Sequence, residues 1–222
     1  SDEVTLGTAL SRIMNAPRPA GNKVELYGVD VPAIRRIIDS IPHDGYIAPH
    51  FVQALLHAAG ISVVDEFVSG NKEEVLAFAR RTSFPVVAKV VGPVHKSDVG
   101  GVTLNIKGEQ HLALEFERMM RLPDATAVMV QPMLKGTELF IGAKYEEKFG
   151  HVVLCGLGGI FVEVLKDVSS GLAPLSYEEA YSMIHSLRAY KIIQGTRGQK
   201  GVNEDKFAEI IVRLSTLLRF AT

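Results

Sequence analysis

Along this chain the spacing of apolar positions switches repeatedly between the helical and the extended period. Ile34, Ile37 and Ile38 behind Asp30-Val31-Pro32 predict a helix that ends near Ser40, with proline in its first turn. Pro42-His43-Asp44-Gly45 breaks that helix, and a second is expected from about residue 49 to 59, stopped by Gly60. Ile61-Ser62-Val63-Val64 reads as a short strand. Residues 71–81 form a helix with Glu73 and Glu74 in its first turn, where they complement the helix dipole. Strands are expected at 86–91, 102–106, 128–132, 138–143, 152–154 and 160–165, and a further helix at 109–121. Ser176 and Glu179 form a capping box that opens a helix reaching about Tyr190. The last helix, about 203–219, carries Phe207, Ile210, Ile211, Leu214, Leu217 and Leu218 on one stripe. Residues 1–29 read as turn and linker, chiefly from Asn15-Ala16-Pro17-Arg18-Pro19-Ala20-Gly21-Asn22.

Mixed helices and strands, with several adjacent strands joined by short connections, predict an α+β fold with antiparallel pairing. No fixed-period repeat runs through the chain. The strongest break follows Gly45, so residues 1–45 are expected to be a linker and helix, the tail of a preceding domain. Residues 46–222 then form the main domain, with a hand-over between two subdomains near 122–128.

Composition narrows the picture. The chain has 222 residues, 47% of them apolar, which is enough for a sizeable core. A formal net charge of −1 gives no sign of a nucleic-acid partner. No apolar run approaches the roughly 20 residues of a membrane span. Ser1-Asp2-Glu3-Val4 lacks the basic and apolar regions of a signal peptide, and a single cysteine fits a reducing compartment, so a cytoplasmic location is expected. Cys155, within Val152-Val153-Leu154-Cys155, reads as a small core residue rather than a nucleophile.

The candidate chemistry is concentrated in a few strings. Lys89 sits in a strand of valines, where an ammonium needs an anionic partner or a route to water. It is read either as a charge on phosphate oxygens or as a lysine reaching the surface. His95-Lys96-Ser97-Asp98 and Gly100-Gly101 follow. Lys96 offers a second positive charge, and the glycines allow backbone N–H groups close to a phosphate. An imidazole beside phosphate-holding lysines is a plausible phosphoryl acceptor. These residues predict a nucleotide-phosphate site next to a phosphorylatable histidine, against the plainer reading of a surface loop.

In Val130-Gln131-Pro132-Met133 the backbone, Gln131 and Met133 could meet an adenine edge and ring, and Glu138 a ribose hydroxyl. An ordinary edge strand with a core methionine is the alternative. Gly158 and Gly159 precede a strand carrying Glu163 and Asp167 on one face, roughly 13 Å apart at about 3.3 Å per residue. That is too far for one ion unless the chain bends. Glu163 is the better Mg²⁺ candidate and Asp167 the weaker, with an ion pair from Glu163 to Lys89 or Lys144 as the alternative. Arg197, between glycines, either braces a phosphate or simply belongs to a helix-connecting loop.

Taken in order, these strings resemble the ATP-grasp domain of NDP-forming acyl-CoA synthetases, the group of ADP-forming acetate–CoA ligase and the succinyl-CoA synthetase β subunit. The similarity spans about 45–222 and rests on PVVAKV, HKSDVGGV, VQPM, VVLCGLGGIFVEVLKDV, LAPL and GTRG. It implies two α+β subdomains clasping a nucleotide, with ATP or ADP and Mg²⁺ bound. It implies reversible conversion of acyl-CoA, ADP and phosphate to carboxylate, ATP and CoA through phosphohistidine, with His95 as a phosphate carrier and Lys89 as the phosphate lysine. It also implies a partner, since the CoA-binding and ligase domains of the family are not in this chain; acyl-CoA and phosphate would be handled there, in cis or in trans. Three departures stand out: Gly171 where the family commonly has arginine, Asn203 where it usually has aspartate, and no acid in Ala48-Pro49-His50. They keep open a second reading, an ATP-binding regulatory module without phosphotransfer, as found attached to protein acetyltransferases.

Overall fold

A computed structural model describes residues 2–14, 28–42, 45, 47–92, 100–159, 166–196 and 198–220. The chain divides into two compact units, one made of residues 63–136 and the other of 1–62 with 137–222.

The first of these, 63–136, is a four-stranded antiparallel sheet with two helices. Its elements are β1 (Phe67–Ser69), α4 (Lys72–Thr82), β2 (Val86–Val91), β3 (Val102–Ile106), α5 (Glu109–Met119) and β4 (Ala127–Pro132), with strand order β1-β4-β2-β3. The helices cover one face only. On β2 the alternation sends Val86, Ala88 and Val90, all fully buried, into a core with Phe78, Leu112 and Met119. Asn71 caps α4 by accepting from the Glu73 and Glu74 N–H groups.

The other unit opens with α1 (Asp2–Met14), α2 (Val31–Asp39) and α3 (Pro49–Ala58). After residue 136 come β5 (Leu139–Glu146), β6 (Gly150–Leu157), β7 (Val168–Leu172), α6 (Tyr177–His185), α7 (Tyr190–Gln194), β8 (Gly195–Thr196), β9 (Gln199–Lys200), α8 (Glu204–Leu217) and a 3₁₀ turn (Leu218–Phe220). The three-stranded sheet β5-β6-β7 and the β8-β9 pair are both antiparallel. Val153, Cys155 and Leu157 of β6 pack against α6 and α8. The far end of α8 packs through Leu217 on Ile34 and Ala59.

Antiparallel α+β architecture agrees with the sequence reading; several details do not. Residues 28–42 do not form a separate tail: Asp30 caps α2, and Ile34 is buried against the end of α8. Residues 2–14, read as linker, form a helix on which Leu6, Leu10 and Ile13 share a face. The strand expected at 61–64 starts later, at Phe67, because Ile61 is taken up in the α2–α3–α8 core. The two units meet in sequence at 136/137, not near 122–128, because Ala127–Pro132 pairs with both β1 and β2 inside one sheet. The helix from Ser176 stops at His185. Asp167 accepts the Arg188 and Ala189 N–H groups that a continuing helix would have bonded four residues back. The strand expected at 160–165 lies outside the described residues. Among the described residues no helix is long and apolar enough to cross a membrane.

Candidate functional site

Lys89 is placed by the pleat of β2. Its flanking residues Ala88 and Val90 point into the helix-covered core, so Lys89 points to the opposite face. Lys89 pairs with Met129 and Val87 pairs with Gln131, which puts Gln131 on that same face, one diagonal step from the lysine. The Lys89 ammonium donates to Gln131 Oε1 at 2.8 Å, and Gln131 Nε2 donates to Glu66 Oε2 at 2.8 Å. The chemistry fixes the amide's orientation: its oxygen must meet the ammonium and its NH₂ the acceptor-only carboxylate. All three side chains are half-buried. This face is otherwise largely apolar, with Val87 buried on the central strand and Val68 and Leu104 44% and 59% exposed on the edge strands.

Glu66 went unnoticed in the sequence. It precedes β1, and the Phe67–Val130 register sets it opposite Gln131. Sequence gives no signal for this, because the contact spans 65 positions and depends on strand pairing.

Gly100 and Gly101 sit at the start of β3. Gly101 accepts from the Val90 N–H at 2.8 Å, and Gly100, at φ +66°, accepts from Arg118 at 2.9 Å. Arg118 also reaches Thr103 and Glu115, and its hydrogen bond is the main reason the Glu115 carboxyl lies below its ordinary value. This end of the β2–β3 loop is therefore firmly held. Met133 donates its N–H to the Pro85 carbonyl at 3.0 Å, and its sulfur accepts from the Asn105 N–H at 3.1 Å.

In the other unit, Glu138 is exposed and its carbonyl accepts from the Gly158 N–H at 2.7 Å. Gly158 and Gly159 thus let the end of β6 close on Glu138. A Cβ at Gly159, where φ is +59°, would lie 2.6 Å from Glu138 Oε2. Asp167 is 8% exposed, and its oxygens receive the Arg188 and Ala189 N–H groups at 3.1 and 2.8 Å, with the Arg188 guanidinium at 3.6 Å. The structure thus gives the weaker Mg²⁺ candidate a structural task. Among the described residues no group of three or more His, Cys, Asp or Glu side chains could hold a metal. His95, Lys96, Asp98, Glu163 and Arg197 lie outside the described residues.

Two of the departures acquire physical meaning. Asn203 caps α8 by accepting the Lys206 N–H at 3.0 Å, a task an aspartate performs equally well. A Cβ at Gly171 would come within 2.8 Å of Met183 Sδ and Leu175 Cδ2, so this position faces side chains of the unit's own core. Cys155 is fully buried and its thiol is pushed up to about 12 by burial, consistent with a core residue.

A profile of the ATP-grasp domain matches residues 43–220. The chain belongs to the ATP-grasp family. This ATP-grasp chain is 42% identical over 173 residues to the β subunit of ADP-forming acetate–CoA ligase I of Pyrococcus furiosus, a match covering 73% of this chain and 75% of that subunit. It is 44% identical over 155 residues to ADP-forming acetate–CoA ligase II of Archaeoglobus fulgidus, covering 68% of this chain but only 23% of that protein. The ATP-grasp chain therefore spans about three quarters of one curated relative and about a quarter of the other. Among solved structures it is similar to acetyl-coenzyme A synthetase 1 of Ca. Korarchaeum cryptofilum in complex with coenzyme A and Mg-AMPPCP, whose phosphohistidine segment points towards the nucleotide-binding site. That likeness has a TM-score of 0.70 at 34% identity, covering 82% of this chain and 84% of that one.

Proposed function

We propose that this ATP-grasp chain is the nucleotide-binding part of an ADP-forming acyl-CoA synthetase and moves a phosphoryl group between ATP or ADP and His95. The observation that carries this reading is Lys89. Its ammonium stands on the face of the sheet opposite the helices, held by a neutral amide oxygen, six positions before His95 in sequence. An ammonium held in this way keeps its charge for phosphate oxygens, and among the described residues it uses only one of its three protons.

In this reading Lys89, Lys96, Arg197 and the Gly100-Gly101 backbone neutralise the phosphates, while Asp98 orients the imidazole. Gln131 braces the lysine instead of reading the base. Glu138 is assigned to the ribose with Gly158-Gly159 next to it, and Met133 to the ring of the base. Mg²⁺, with Glu163 as the candidate ligand, would neutralise developing charge on the transferred group. The imidazole nitrogen of His95 attacks the γ-phosphorus; the P–N bond forms, the P–O bond to the β-phosphate breaks, and ADP leaves. Because every step is reversible, the same groups serve ATP synthesis. A partner with CoA-binding and ligase domains, in cis or in trans, would exchange that phosphoryl group with an acyl phosphate and so connect it to acyl-CoA and free phosphate.

Incubation of the purified chain with γ-labelled ATP and Mg²⁺ tests the reading. Acid-labile, alkali-stable label on the protein is expected, and it should be lost in His95→Ala. Label unchanged in that variant removes the histidine role. Nucleotide binding without any label, in the chain and with its partner domains, supports the regulatory module instead.

A further inference from the structure

The Glu66–Gln131–Lys89 chain has a feature that simple attachment of a lysine would not need. A glutamate at position 131 would bond the ammonium directly. Instead an uncharged amide stands between lysine and carboxylate, and the carboxylate is drawn from a different segment, ahead of β1. We propose that Glu66 is a positioning residue for nucleotide binding, acting through the Gln131 amide to aim the Lys89 ammonium while leaving its charge unpaired. The inference rests on Lys89 being a phosphate lysine, as proposed above.

Three observations support it. First, Glu66 differs from the acids of its unit that are ion-paired: Glu109 with Arg80, Glu115 with Arg118 and Glu117 with Lys72. Among the described residues Glu66 has no cationic partner, and its carboxylate bonds only an amide. Second, a carboxylate accepts and never donates, so it dictates which end of the amide faces Lys89. Without it the amide could turn its NH₂ toward the ammonium, donor against donor. Third, the chain is half-buried and runs along a sheet whose opposite side is tightly packed, so the geometry is fixed by strand register and not by mobile side chains. Hydrogen bonds in such a series polarise one another, which tightens the hold on the ammonium without neutralising it.

Calorimetric titration with Mg-AMPPCP at matched salt tests this, alongside thermal melting. The wild-type chain is expected to bind. Glu66→Ala should weaken binding about tenfold with an unchanged melting midpoint. Gln131→Glu places a carboxylate against the ammonium and should weaken binding on the order of a hundredfold at about pH 8. That loss should shrink, relative to wild type, as the pH falls to about 6. There the two facing carboxyls share a proton; the protonated one donates to Glu66 and accepts from Lys89, restoring the amide's pattern. A merely structural role for the chain predicts altered melting and no such recovery. Glu66→Ala binding within about twofold of wild type, or a Gln131→Glu deficit that is flat with pH, overturns the inference while leaving the proposed function standing. Failure of the wild-type chain to bind Mg-AMPPCP overturns both.

Discussion

Replacing Lys89 by methionine separates the lysine's service to a ligand from its service to the fold. The side chain lies on the face of β2 opposite the helices, paired across with Met129 on one side and Val102 on the other. Methionine has nearly the same length and suits that surface. The fold loses one hydrogen bond, from the ammonium to Gln131 Oε1 at 2.8 Å. Gln131 is half-buried, so water can replace the donor, and the loss is about 0.5–1.5 kcal/mol. Burial of the methionine in place of a charged tip offsets a comparable amount. Net stability should therefore move by less than about 1 kcal/mol in either direction. The ligand loses a charge-assisted contact, about 1.5–3 kcal/mol, or roughly 10- to 150-fold in affinity. Titration of Lys89→Met with Mg-AMPPCP, with melting as the control, reads both quantities. Arginine should not rescue fully, because its planar fork does not reproduce the compact ammonium. Affinity within about threefold of wild type in a variant that melts normally would refute the assignment of Lys89 to phosphate.

Cys155 should resist a thiol reagent at pH 8 in the native protein and react fully once the chain is unfolded, because its thiol is buried and pushed up to about 12; rapid native-state labelling would contradict its place in the core. Asp167→Asn replaces an acceptor of two backbone N–H groups by a side chain with one acceptor and one donor facing them. It should cost about 1–3 kcal/mol in a urea titration, and a cost below about 0.5 kcal/mol would deny Asp167 its structural task. Arg118 holds the Glu115 carboxyl below its ordinary value of 4.5. Glu115 therefore stabilises the fold above that pH and loses this effect as the pH falls through its lowered native value. Glu115→Gln should be less stable than wild type near neutrality, with the gap closing in acid; a gap that persists to the acid limit would contradict the ion pair.

Much of the fold was legible because its signals are local. Asp30 and Ser176 sit where their side chains cap the first turn of a helix, and Gly60 ends α3 at φ +72°. The β-branched run of β2 announced a strand, and the lysine within it is the candidate for a site. Misreadings occurred where a distant partner decided the outcome. Leu187 continues the helical stripe of α6, yet Asp167 captures the next two N–H groups and ends the helix early. The segment 122–128 reads as a hand-over between one helix-strand layer and the next, but the strand that follows it is central to its sheet.

The amino-acid order alone determined that this chain is an antiparallel α+β protein and that it is similar to ATP-grasp domains, and it singled out Lys89 and the glycines after it as candidates for the chemistry. Those conclusions depend on residue type and near spacing, which a sequence displays directly. Tertiary structure decided what Lys89 touches. The pleat of β2 sends it away from the helices, the β2–β4 register sets Gln131 beside it, and the β1–β4 register brings Glu66 from 65 positions away to fix the amide. A hydrogen bond depends on distance and direction in space, and neither can be read along a chain until its strands are paired.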